Sequence, residues 1–393
     1  MEAAETTRFF VESVNGSAGI LARNGIDMPL IARRPAIGST AVSRGHSGKP
    51  GFVAIDIGCF AVKVMQLDLG NNRHSLRFSR VVPHAAPLDP EDRIGCLKQI
   101  GQTLERAWSV RNRWLPFPAA CTLSMSLFDF RSLTLPVHPD ELTSEALEEA
   151  YAADSETTPG TWEIRGWNAS THGPNQRSCS VSVIGVEKGF AAEISAKLWN
   201  CGLDCQILDG PPFALSRAVC NHYSRSLPVA ILDWGFSAVT LTVAVDGYPR
   251  FTRLLRQCGL KSLIAGLMQS LGVDSDQARH LLHTYGFCAP GTNQSENNLA
   301  AVLADLARPY LIKLTEELQR SWNYLRQQPD SNLQRLVLTG GGAMLPFATE
   351  SLANALPFPV DVWRQESNDA IDSSSESLSP LYASAMALAR LEK

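Results

Sequence analysis

No stretch of this 393-residue chain reaches the roughly 18 consecutive apolar residues of a membrane-spanning helix, which excludes anchoring by its own helix. Arg33-Arg34 is followed by no apolar core of the length an export signal needs, so the expectation is a chain that is neither exported nor anchored. An excess of positive charge is also missing. Lys and Arg total 35 against 39 Asp and Glu, a net charge of −4 that leaves no nucleic-acid footprint. Cysteines paired at metal-ligand spacing are absent as well. The nine that occur (Cys59, Cys96, Cys121, Cys179, Cys201, Cys205, Cys220, Cys258 and Cys288) form an odd, scattered set, mostly inside apolar runs, as in a reduced cytosolic protein. Cys201 and Cys205 have no second pair beside them. His280 and His283, three apart on a helical pattern, have no third ligand and read as helix-surface residues.

What is present begins with composition. At 45% hydrophobic and 19% charged, the chain is globular and long enough for two or more domains. Residues 1–50 carry no sustained period and are punctuated by glycine and proline, which predicts a disordered arm.

Phe52 to Leu67 is an apolar run, a sharp polar turn and a second, alternating run. The pattern predicts a β-hairpin with Asp56 and Gly58 at its tip. Glycine there lets backbone N–H groups approach phosphate oxygens, while the carboxylate holds hydrated Mg²⁺. An isolated Asp-x-Gly is more often an ordinary hairpin turn. Val229 to Val243 repeats the design with Asp233, Gly235 and Ser237, and each copy continues into a further tight turn (Asn71-Asn72 or Asp246-Gly247) and a third strand. The copies lie much further apart than the roughly 20–50 residues of a solenoid repeat, so they mark two similar half-molecules. A third element, Leu336 to Thr339, runs into Gly340-Gly341-Gly342 and then a predicted helix over Phe347 to Leu356. Such a bend lets backbone lie flat against a ligand.

In that order, Asp-x-Gly, Asp-x-Gly and Gly-Gly-Gly resemble the actin, Hsp70 and sugar-kinase superfamily, an α/β two-lobed fold of duplicated halves closing around ATP and Mg. Between the hairpins, helical spacing over Asp89 to Trp108 and a strand over Ala119 to Leu127 complete the first half-unit, and a helix over Glu141 to Ala152, a strand over Ser178 to Gly185, a helix over Lys188 to Asn200 and the run Gly202 to Asp209 predict an inserted αβ subdomain. The expected division is an arm (1–50), a first half-unit (51–128), the insertion (129–208), a second half-unit (209–370, its helical part about 256–330) and a C-terminal helix (371–393) returning to the first lobe.

Four further stretches narrow the resemblance. Gly202 to Ala218, Gly247 to Arg253, Leu318 to Tyr324 and Leu381 to Leu388 are similar to the PilM family of type IV pilus assembly proteins, over roughly residues 51–393. The resemblance implies an FtsA-like inserted subdomain. It also implies a cytoplasmic scaffold, held at the inner membrane by the tail of a PilN-like partner. By its motifs, Asp56, Gly58 and Lys63 form the first phosphate hairpin, Asp233, Gly235 and Ser237 the second, and Gly340, Gly341 and Gly342 the adenosine loop, with Asp56 and Asp233 reaching Mg through water. Departures are visible too. Cys59 and Phe60 replace small hydroxyl residues, Arg279 and Leu282 replace the acid and base that reach ribose and adenine, and Pro211 replaces a Glu suited to orienting water. The implied cleft is degenerate, with no catalytic residue assigned and at most weak ATPase activity. The alternative of a different class is an active ATPase or small-molecule kinase of the same fold. Self-association is a further expectation.

Overall fold

The computed structural model describes residues 8–9, 49–70, 74–108, 116–137, 141–168, 178–220, 227–287, 298–327, 333–364 and 379–391. They fall into two compact units. One holds the described residues up to Ala218 and those from Ser384 on, the other those from Val219 to Arg364 with Ser379–Ala383.

The first unit runs β1 (Arg8–Phe9), β2 (Lys49–Ile57), β3 (Ala61–Leu69), β4 (His74–Pro83), α1 (Arg93–Ala107) and β5 (Phe117–Leu123). Then come β6 (Asp129–Leu135), α2 (Ser144–Ser155), β7 (Trp162–Asn168), β8 (Cys179–Glu187), α3 (Lys188–Asn200), β9 (Leu203–Asp209) and α4 (Pro211–Cys220). Its main sheet has the order β1-β9-β5-β2-β3-β4. β2 sits between a parallel and an antiparallel neighbour and is buried on both faces from Phe52 to Ile57, so its sequence is an unbroken apolar run up to Asp56 rather than an alternation. α1 begins where the Asp92 side chain accepts from the Gly95 N–H at 2.9 Å, a cap for an otherwise orphan donor.

The second unit runs β10 (Val229–Trp234), β11 (Val239–Val245), β12 (Tyr248–Leu255), α5 (Leu260–Leu271), α6 (Ser275–Tyr285), α7 (Asn298–Leu325), β13 (Leu336–Thr339), α8 (Ala348–Ala353) and β14 (Val360–Val362). α9 (Ala383–Ala389) closes the chain, and all but its first residue belongs to the first unit. The second sheet has the order β12-β11-β10-β13-β14. In each unit an antiparallel meander of three strands has two parallel strands added beside its first, β5 and β9 in one, β13 and β14 in the other. The half-molecule repeat read from the paired hairpins is therefore a repeat of sheet topology.

Two details differ from the sequence reading. The insertion, expected over 129–208, contributes β6, β7 and β8 to a separate sheet of order β6-β8-β7 with α2 packed on it, but β9 pairs with β5 and α3 packs on α1 and β9. The strand expected over Ala119 to Leu127 ends at Leu123, where the Ser124 N–H donates to the Ile57 carbonyl at 2.7 Å and the chain turns. Of the arm, Arg8–Phe9 forms β1 and Lys49-Pro50 opens β2, and the remainder lies outside the described residues. Tyr324, which shares α7 with the apolar stripe of Leu314, Leu318 and Leu325, is exposed whereas those leucines are buried.

Candidate functional site

In the first unit, cross-strand pairing sets Asp56 opposite Lys63 on one side and Thr122 on the other. Lys63 Nζ donates to Asp56 Oδ2 at 2.8 Å, and both side chains are largely shielded from solvent. The turn between them is tight. The Gly58 N–H donates to the Ala61 carbonyl at 3.0 Å, and a Cβ on Gly58 would lie 3.1 Å from that oxygen and 3.3 Å from Lys63 Nζ. Cys59 is buried and its carbonyl accepts from the Leu88 N–H at 2.7 Å, so this position presents packing rather than a hydroxyl donor. At the end of the third strand in this row, Asp209 is fully buried and ion-paired with Arg217, and its main-chain carbonyl accepts from Thr122 Oγ1 at 2.8 Å. Pro211 is the first residue of α4, where a missing N–H removes no intrahelical bond.

The second unit repeats the row with different chemistry. Asp233 stands opposite Thr240 and Thr339, and Thr339 Oγ1 lies 3.4 Å from Asp233 Oδ1. A Cβ on Gly235 would be 2.7 Å from the Ala238 carbonyl, so this turn admits only glycine without rearrangement. Ser237 lies in the turn, half-buried, its backbone so close to the start of α5 that a Cβ on Gly259 would be 2.4 Å from the Ser237 carbonyl carbon. The glycine run follows β13. Gly340 has φ of 79°, Gly341 has open space where its Cβ would be, and a Cβ on Gly342 would lie 2.2 Å from Trp234 Cγ.

The sequence-derived residues thus form two groups. Asp56, Gly58 and Lys63 share one hairpin, and Asp233, Gly235, Ser237, Gly340, Gly341 and Gly342 converge at the ends of β10 and β13. Arg279 and Leu282 stand apart from the glycine run in role: Arg279 pairs with Asp276, and Leu282 is buried in the second unit's core. Among the described residues no three His, Cys, Asp or Glu side chains gather as a metal cluster, and the eight described cysteines are buried free thiols. No described helix is long and apolar enough to cross a membrane. Sequence reasoning missed Thr122 and Thr339, visible only through strand register, and His84, a solitary histidine without a motif.

His84 braces the first turn. Its Nε2 lies 3.0 Å from the Gly58 carbonyl, which only accepts, so Nε2 carries the proton and Nδ1 accepts from the Thr103 hydroxyl at 2.9 Å. Arg106 Nη2 in turn donates to Thr103 Oγ1 at 3.1 Å. Burial, reinforced by the charges of Arg106 and Lys63, holds the imidazole below its ordinary 6.5 despite the bond to Gly58. The unfolded chain therefore binds more protons below 6.5, and His84 contributes stability that is present above that pH and lost as pH falls below it. Urea unfolding between roughly pH 5 and 7 is expected to show a smaller pH slope in His84→Gln than in wild type. An unchanged slope would remove His84 from this role.

No family profile matches the chain, and no curated protein does. Among solved structures, it is similar to a chain of a PilM-PilN type IV pilus biogenesis complex at 22% identity and a TM-score of 0.65, over 86% of this chain and 97% of that one. It is also similar to the ethanolamine utilization protein EutJ from Carboxydothermus hydrogenoformans, at 14% identity and a TM-score of 0.49, over 88% of this chain and 91% of that one. The chain has the actin-like α/β fold, two units built on one duplicated sheet plan.

Proposed function

We propose that this chain is a cytoplasmic scaffold of type IV pilus assembly, or of a related type II secretion-like machine. It binds the cytoplasmic tail of a PilN-like inner-membrane protein and reaches the membrane through that partner. The observation that carries this reading is the likeness, over 86% of this chain and 97% of the other, to a chain solved in a PilM-PilN complex. The sequence stretches named above support it independently.

Nucleotide enters the proposal as a ligand rather than as a fuel. Each hairpin by itself offers a donor set suited to a phosphate with hydrated Mg: Asp56, Lys63 and the backbone at Gly58 in the first unit, and Asp233, Ser237 and the backbone at Gly235 in the second. Bound there, Mg would neutralise phosphate charge. The rest of the site is impoverished. Cys59 offers no hydroxyl, Leu282 is committed to the core, Arg279 pairs with Asp276, and Pro211 offers neither donor nor acceptor. The kinase alternative needs a carboxylate base. Among the described residues the further acid in that row is Asp209, fully buried and neutralised by Arg217. Positioning and electrostatics supply nearly all the rate in phosphoryl transfer, so a site lacking the orienting group turns over far below the roughly 1 to 1000 per second of ordinary enzymes.

A phosphate-release assay with ATP-Mg tests this directly. Wild type is expected to sit at background, while Asp56→Ala and Asp233→Ala each weaken any nucleotide binding seen by calorimetry. Brisk wild-type turnover abolished by Asp233→Ala would restore the enzyme reading.

A further inference from the structure

The two edges of the six-stranded sheet are protected in different ways. β4 forms one edge and exposes Arg77, Arg80 and Pro83, the charged and proline residues that discourage a stray strand from pairing. β9 would form the other. Its stretch Ile207-Leu208, ahead of the final Asp209, is buried and carries neither charge nor proline, so its open side is a template for an extended chain. That side is covered by β1, which runs parallel to β9 with Arg8 opposite Ile207 and Phe9 opposite Leu208. The covering strand comes from far away in sequence. Residues 10–48 separate it from β2, and at about 3.3 Å per extended residue that length spans on the order of 100 Å, more than enough to reach any sheet edge of its own unit.

From this pairing we propose that the edge of β9 is a strand-docking site whose occupant is the chain's own N-terminal segment, held in cis and exchangeable. Exchange follows from the modest strength of strand pairing, because each ladder bond is worth little net of the water bonds it replaces. Occupancy follows from connection, because a tethered strand competes at an effective concentration no dilute free peptide matches. This edge accepts an extended, apolar-and-basic segment of the type Arg8-Phe9, and the assignment stands whatever machine the chain serves.

Hydrogen exchange on the full chain tests it, with the double variant Arg8→Pro/Phe9→Pro. Consecutive N–H groups of a strand point to opposite sides, so two adjacent prolines remove whichever donor faces β9. At least one amide within Ile207–Asp209 is expected to exchange about ten-fold faster in the variant, with β2 and β5 unchanged. A peptide of residues 4–13 added in trans is expected to bind the variant at least ten-fold more tightly than wild type, as a vacated site requires. Identical β9 exchange in both chains, or equal peptide affinity for both, would overturn the assignment. Light scattering supplies the remaining arm: a wild-type dimer that the variant loses would place the strand on a second copy and overturn the in-cis arrangement.

Discussion

Arg217→Ala is expected to lower the unfolding free energy by about 3–5 kcal/mol, the cost of stranding an uncompensated buried carboxylate. Asp209 is 0% exposed, and Arg217 retains only 10% of its side-chain exposure, so water cannot replace the lost partner. The remaining bond to the carboxylate, from the Gly210 N–H to Oδ1 at 2.9 Å, satisfies one oxygen and leaves the other bare. Removing both charges together, as in Asp209→Asn/Arg217→Met, should recover much of the loss, because a buried pair is often close to neutral against an uncharged replacement. Urea denaturation of the three proteins measures this. A midpoint for Arg217→Ala equal to wild type would mean that Asp209 is not the buried, paired acid described above, and would return it to consideration as a base.

The second large effect lies in the glycine run and divides it. Gly342→Ala drives a methyl group to 2.2 Å from Trp234 Cγ, and the indole has nowhere to go. That ring is 0% exposed, stacks on Phe287 with centroids 5.2 Å apart, and donates from Nε1 to the Tyr310 hydroxyl at 2.7 Å. The Tyr310 hydroxyl then donates to the Cys258 carbonyl at 2.6 Å. Overpacking of this kind costs roughly 1–3 kcal/mol and sometimes more. Gly340→Ala suffers twice, from its positive φ and from a Cβ placed 2.5 Å from Asp233 Oδ1. Gly341→Ala is the control. Its φ of −67° suits any residue and its Cβ meets nothing within 4 Å, so stability should hold or rise by up to about 1 kcal/mol as the unfolded chain loses freedom. Thermal unfolding should therefore show a drop of several degrees for Gly342→Ala and none for Gly341→Ala. Equal shifts would contradict the packing account, while a stable Gly341→Ala with weakened nucleotide affinity would identify ligand contact free of folding effects.

These residues also mark how far sequence reaches. The duplicated hairpins were legible because each half repeats the same run of apolar strand, Asp-x-Gly and alternating strand, and repetition makes a weak motif specific. The partner of β9 was not legible. Leu203 to Asp209 follows a helix and reads as the last strand of the insertion, whereas its pairing with β5 is set by contacts across some eighty residues that no local period encodes. Trp234 reads as one more apolar residue of a strand, and only the structure shows that its ring is why Gly342 must be glycine. Register likewise places Thr122 and Thr339 beside the two acids, information absent from either strand alone. The ion pair of Asp209 with Arg217 spans a turn and two turns of helix, a separation with no sequence signature.

A calorimetric titration of the full chain with a peptide of the cytoplasmic tail of a PilN-like inner-membrane protein from the same organism tests the scaffold reading most directly. The account predicts saturable binding at one peptide per chain, retained in Asp56→Ala and Asp233→Ala as a scaffold whose docking surface is separate from the nucleotide carboxylates requires. No binding by any tail peptide from the same pilus assembly system would contradict it.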